Sequence, residues 1–342
     1  MKSGGRLIQR DGQPRFGIFT DAVSEVNFRD YDLRSPMDHR RTLLARHFGF
    51  KQFQFLGGMC ESLVFGCALV DVRYVGQVFV YFYEPMTRRY AEYSLRTPLA
   101  FGTHFDQRPE DGSATFRSGE SRFAMTATRD PQQRQLWVRL AGGVEIDAVF
   151  DEQEPLVQPM RICTPAGATG FVFARKTAGS RVSGTIRWDG RTIDLAEAGM
   201  LGHNDWSAGY MRRETFWNWG CLAGRLEDER IVGLNVSSGV NETGFGENCF
   251  WIDGVLHRLG HVSFQFDRHD LMQSWQLRDS EGRLDLVFNP EGSHVEKIQA
   301  FVVASNFHQL FGRYHGTLVT GTGEPVRVVG LLGYAEKHYA KW

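Results

Sequence analysis

The chain has 342 residues, with 39 Lys and Arg set against 40 Asp and Glu, so its net charge is −1 at neutral pH. That balance holds no basic excess for nucleic acid or for an anionic membrane surface. Hydrophobic residues at 42% and charged residues at 23% describe a globular protein with a buried core, and 26 Phe, 8 Trp and 38 Gly suit pleated strands, apolar cavities and tight turns.

From the N-terminus, Met1-Lys2-Ser3-Gly4-Gly5-Arg6 leads into no apolar stretch, so no secretory signal is expected. No apolar run approaches the roughly 20 residues of a membrane-spanning helix. The first fifty residues read as loop, with one short helix from about Asp38 to Phe48. Asp38 would cap it, and Leu43, Leu44, His47 and Phe48 would share one face. Beyond it the period becomes two. Val78, Val80 and Phe82 alternate with Phe79, Tyr81 and Tyr83, apolar on both sides. Val262, Phe264 and Phe266 alternate with Ser263, Gln265 and Asp267, and Leu284, Leu286 and Phe288 repeat the pattern. Turn pairs such as Asp189-Gly190, Asp253-Gly254 and Glu281-Gly282 punctuate these runs.

An internal repeat organises the strands. Phe53-Gln54-Phe55 and Trp217-Asn218-Trp219 each open a hairpin. Gly202-His203-Asn204-Asp205 and Gly333-Tyr334-Ala335-Glu336 each close a half, a glycine followed by an acid. The expected fold is therefore all-β: two lipocalin-like antiparallel β-barrels in tandem with few short helices, spanning 1–200 and 201–342. Each would hold about eight strands around an aromatic-lined cavity. The Pro-punctuated stretch Asp151 to Pro159 is a rival boundary.

Five scattered cysteines, Cys60, Cys67, Cys163, Cys221 and Cys249, have neither zinc-site nor redox spacing. They read as small buried apolar residues in a reducing compartment, which places the protein in the cytoplasm. The histidines, among them His257, His261, His308 and His315, have no carboxylate at ligand spacing, so no metal is expected, and no other cofactor. The Gly-rich stretch Asn241 to Asn248 lacks a phosphate-binding lysine and reads as a long hairpin loop, from which Glu247 and Asn248 would reach a barrel mouth.

Chemistry concentrates between Gly202 and Trp219. Asp205 lies between His203 and Trp206, followed by Tyr210, Arg212, Arg213, Trp217 and Trp219. A carboxyl desolvated by aromatics has a raised pKa and can donate a proton near neutral pH. Indoles can stabilise a developing cation or stack on a polyene. The plainer reading pairs Asp205 with Arg212 or Arg213 at the crossover between barrels. Glu336, the repeat counterpart of Asp205, is a second candidate carboxylate.

Asp205-Trp206-Ser207-x-Gly209, Trp217-Asn218-Trp219, Gly244-Phe245-Gly246-Glu247-Asn248, Asp253-Gly254 and Gly333-Tyr334-Ala335-Glu336-Lys337-His338 together resemble the bacterial family called domain of unknown function 2804, most clearly from about Pro159 to Trp342. An acid ahead of a Trp-x-Trp strand is also similar, more distantly, to the group of carotenoid hydratases, AttH-like proteins and fungal cyclases. The second resemblance implies double lipocalin-like barrels and acid-assisted hydration or cyclisation of an apolar unsaturated substrate, with Asp205, Trp217 and Trp219 on matching positions.

Two functions follow. One is a carrier or sensor that binds an apolar small molecule, a fatty acid or isoprenoid, in a barrel cavity. The other is a hydratase, isomerase or cyclase with Asp205 as general acid and His203 beside it. Trp217, Trp219, Tyr210, Arg212, Glu247, Asn248 and Glu336 would bind the ligand in either. A purely structural interaction protein is the third possibility.

Overall fold

A strand of period two can bury one face in a core and offer the other to a partner, and this chain uses both faces. The computed structural model describes residues 5–153, 156–240, 245–300 and 303–342. Among these residues it forms two curled antiparallel sheets, of 14 and 9 strands, each a half-barrel.

The first sheet runs, neighbour by neighbour, through Arg89–Pro98, Val75–Glu84, Leu63–Asp71, Lys51–Cys60 and Leu201–Gly209 to the long strand Gly170–Trp188. It continues through Glu145–Asp151, Gln132–Arg139, Ser121–Arg129, Ser113–Ser118 and Thr103–Phe105. The second runs through Val255–Arg258, Cys249–Ile252, Ile231–Ser238, Glu214–Arg225 and Pro325–Lys341, then Val303–Val319, Leu284–Ala300, Trp275–Asp279 and Val262–Gln265.

The two orders follow one scheme. In each, the strand that opens the half pairs with its hairpin mate on one side and with the strand that closes the half on the other. The division drawn at residue 200 therefore falls one strand early. Leu201–Gly209 hydrogen-bonds to Lys51–Cys60 and to Gly170–Trp188, so its backbone groups are satisfied only within the first sheet. The chain crosses to the second sheet through Tyr210–Arg213.

Inner faces form the cores. Phe65, Phe82, Phe150, Phe173, Trp188 and Trp206 are among the residues filling the first curl. Phe250, Trp275, Phe288, Leu310 and Tyr314 are among those filling the second. Each such side chain contributes about 1.5–3 kcal/mol by leaving water.

The first curl also buries an ion network. Glu110 accepts from Arg161 at 2.6 Å and Arg175 at 2.9 Å, and Glu152 lies 3.0 Å from Arg134 and 2.8 Å from Arg175. These arginines hold the Glu110 carboxyl down at about 2, against the upward push of burial. Arg175 thus anchors the strand that presents Lys176 on the opposite side.

The helix is Leu43–Gly49, shorter than expected. Thr42 caps it, its hydroxyl accepting from the Ala45 N–H at 3.2 Å, whereas Asp38 sits in a turn at φ 60°. Among the described residues no helix is long and apolar enough to cross a membrane.

Candidate functional site

The outer faces of the two curls meet. Phe55, Met59, Val64, Tyr81 and Tyr83 of the first pack against Trp219, Cys221, Phe311 and Tyr334 of the second. Tyr83 stacks on Phe311 with centroids 4.4 Å apart. Strand parity decides what reaches this seam. On Leu201–Gly209, Trp206 and Ala208 point into the first core. His203, Asp205 and Ser207 therefore point the other way, to the second sheet.

Register makes the two halves equivalent at the acid. Asp205 lies opposite Phe55 on one side and Lys176 on the other. Glu336 lies opposite Trp219 and Gln309. Each half thus carries a rung reading aromatic, acid, donor: Phe55–Asp205–Lys176 in one and Trp219–Glu336–Gln309 in the other. Each donor reaches its acid, Lys176 Nζ at 2.9 Å from Asp205 Oδ2 and Gln309 Nε2 at 2.8 Å from Glu336 Oε1.

The charges do not cancel. Lys176 Nζ lies 2.8 Å from Glu247 Oε1 as well, so one buried lysine serves two carboxylates. Burial and the Glu247 carboxylate push the Asp205 carboxyl up, Lys176 and the Ser207 hydroxyl (3.0 Å) pull it back, and the net direction is upward. Lys176 is thus one buried cation facing two buried carboxyl groups, each within 3 Å of its Nζ. Among the described residues no cation is bonded to Glu336. Burial raises it to about 7, offset in part by N–H donors from Trp217 (3.3 Å) and Gln309.

His203 is buried among Phe55, Tyr334 and Trp219, with centroids 5.1, 5.2 and 6.2 Å away, and desolvation takes it down to about 3. The imidazole is neutral at any ordinary pH. Its Nε2 and the Tyr334 hydroxyl are buried and find no hydrogen-bond partner among the described residues. Buried polar atoms are nearly always paired, so these two call for a partner such as a water molecule or a ligand. Trp219 Nε1 is fixed by Asn235 Oδ1 at 2.8 Å, and Asn235 Nδ2 in turn holds the Glu247 carbonyl at 2.9 Å. At the edge, Trp217 lies 4.2 Å from the His338 ring.

The structure thus brings together six of the nine singled-out residues. Asp205, His203, Trp217, Trp219, Glu247 and Glu336 all line or brace the seam. Asn248 does not: its amide oxygen accepts from Ser237 N at 2.6 Å and its Nδ2 donates to Gly260 O at 3.1 Å, a scaffold for the segment that carries Glu247.

Tyr210 shares parity with Trp206 and packs inward, 5.6 Å from Phe50. Arg212 donates to Gly239 O at 2.9 Å on the crossover. Neither the expected Arg212 nor Arg213 pairs with Asp205, because Lys176 already occupies that place. Residues 241–244 of the Gly-rich stretch lie outside the described residues. Lys176, Gln309, Asn235 and Tyr334 were missed. The one signal for Lys176 is a pair of cations, Arg175-Lys176, directly after the apolar run Phe171-Val172-Phe173-Ala174.

Fold and site define a class: tandem lipocalin-like half-barrels whose chemistry-bearing side chains lie where their outer faces join. The chain belongs to the family described as Domain of unknown function (DUF2804), whose model matches residues 1–342. No curated protein matches the sequence.

Among solved structures the chain is similar to an AttH-like protein from Nitrosomonas europaea, at 11% identity and TM-score 0.52 over 84% of this chain and 92% of that one. It is also similar to CghA crystallised with Sch210972, at 11% identity and TM-score 0.51 over 99% and 97%. Kievitone hydratase from Nectria haematococca is a further neighbour, at 12% identity and TM-score 0.47 over 85% and 89%. At such identities the likeness is one of fold.

Proposed function

We propose that the seam binds an unsaturated, largely apolar small molecule and moves a proton on it, as a hydratase, isomerase or cyclase does. The observation that carries this reading is the buried pair Asp205 and Glu247 sharing Lys176, with a third buried acid, Glu336, beside them beneath a wall of aromatic rings.

In this scheme Asp205 gives its proton to one carbon of a double bond, whose π pair becomes the new C–H bond. The cation left on the neighbouring carbon faces Phe55, Trp219 and Tyr334, whose rings stabilise positive charge. Water then adds to it and Glu336 accepts the proton released from the water oxygen. Loss of an adjacent C–H proton to Glu336 gives an isomer instead, and attack by a second double bond closes a ring and leaves a new cation, which loses an adjacent C–H proton to Glu336. Solvent carries the proton back from Glu336 to Asp205 between turnovers. The dry setting strengthens each of these interactions.

Carriage of a fatty acid or isoprenoid without chemistry requires the same apolar site but not its acids. Native mass spectrometry of protein purified from cells is expected to show a bound apolar molecule. With that molecule or an unsaturated analogue, Asp205→Asn should abolish turnover, by about a hundredfold or more, while leaving affinity within a few-fold. Turnover unchanged in Asp205→Asn would remove the acid role, and binding with no turnover by the unaltered protein would leave the carrier.

A further inference from the structure

The N-terminal segment carries a surface that the seam does not use. Every residue from Pro36 to Ala45 is exposed. Within and just beyond this stretch stand four large apolar side chains facing water: Met37 (76% exposed), Leu43 (82%), Leu44 (71%) and Phe48 (37%). An isolated exposed leucine is ordinary, but four such residues in twelve, around one short helix, form a patch that calls for a partner.

The chemistry of that partner is written in the surroundings. A cleft of about 740 Å³ opens beside the helix, lined by Arg6, Arg10, Arg29, Arg40, Arg41 and Arg46 against only three aspartates, Asp11, Asp30 and Asp32. Arg6 is paired with Glu25 and Asp30, and Arg40 with Asp32. Arg10 and Arg41 form no ion pair among the described residues, which leaves the cleft with a positive excess. Apolar tips beside a cationic cleft complement a layer whose outside is anionic and whose inside is hydrocarbon.

We propose that this face docks on an anionic phospholipid bilayer, the apolar side chains entering the acyl boundary and the arginine cleft receiving headgroup phosphates. The whole-chain balance of −1 conceals the feature because acids elsewhere average it away. Position adds to the argument. Lys51 Nζ donates to the Phe48 carbonyl at 2.6 Å, tying the helix to the strand whose first residue pairs with Gly209. At the same end Trp342 N donates to Arg213 O at 3.1 Å, and the Trp342 ring lies 6.4 Å from Trp217 at the edge of the seam. An apolar molecule leaving the bilayer would meet the protein near that edge.

The test is co-sedimentation of the full chain with phosphatidylcholine vesicles, with and without phosphatidylglycerol, and at low and high salt. Binding is expected to need phosphatidylglycerol and to weaken with salt. Two double variants, Leu43→Asp with Leu44→Asp and Arg40→Glu with Arg41→Glu, should each lower partitioning roughly tenfold or more. Because these side chains are exposed, the melting temperature should not change. Several results would overturn the proposal: no binding, equal binding to both vesicles, or full competition by soluble glycerol phosphate, which would make the cleft a site for free phosphate esters. Concentration-dependent dimers lost in the leucine variant would overturn it too, by assigning the patch to a second copy of the chain.

Discussion

Glu336 is buried, with no cation bonded to it among the described residues, and burial raises it to about 7, well above the 4.5 of a free glutamate. Its proton affinity is higher in the folded chain than in the unfolded one. The stability it contributes is therefore complete below pH 4.5 and is lost as pH rises through about 7, a change of roughly 3 kcal/mol. Glu336→Gln should melt at a higher temperature than the native chain at about pH 8 and close to it at about pH 4, as measured by calorimetry. If Glu336 accepts the proton, the same variant should also remove the limb of the activity profile that rises near 7. Asp205 and Glu336 were legible because both follow a glycine in matched motifs. Lys176 was not, since its link to Asp205 is made across strands, 29 residues apart. Tyr210 was misjudged for a simple reason: it shares even parity with Trp206, and counting alone would have turned it inward.

At the scale of the element, glycine sets how closely side chains lie on the seam. Gly57 pairs with His203, and a Cβ at Gly57 would come within 2.5 Å of His203 Nε2 and 2.8 Å of the Phe65 carbonyl. The imidazole rests on bare backbone. Gly57→Ala should therefore cost about 1–3 kcal/mol in urea unfolding and displace His203, seen as a change in its ring proton shifts. Alternation in the sequence forecast these strands well. It said little of which strands would be neighbours, because ladder order depends on contacts far along the chain. The helix was forecast in place but given the wrong cap, as Thr42 offers its hydroxyl in extended backbone while Asp38 is committed to a turn.

For the whole molecule, the joint between the curls is the part that composition could not foresee. Two tandem β units were legible from the repeat. Their contact through outer faces was not, since aromatic alternation on both sides of Val75–Glu84 reads equally well as a cavity wall. Phe311 is wholly buried in that joint, 5.5 Å from Tyr81 and stacked on Tyr83. Phe311→Ala should cost about 3–5 kcal/mol. Calorimetry is expected to show one unfolding transition for the native chain and two for this variant, as the curls lose their mutual support.

The matched rungs have one more consequence. If both acids were flanked alike, donor and acceptor would be interchangeable and the site would have no sense of direction. The halves differ at one decisive rung position, a cation in one and an amide in the other. Of the differences between the rungs this is the one that changes charge, so under the proposed scheme transposing Lys176 and Gln309 is expected to make the proton travel the opposite way.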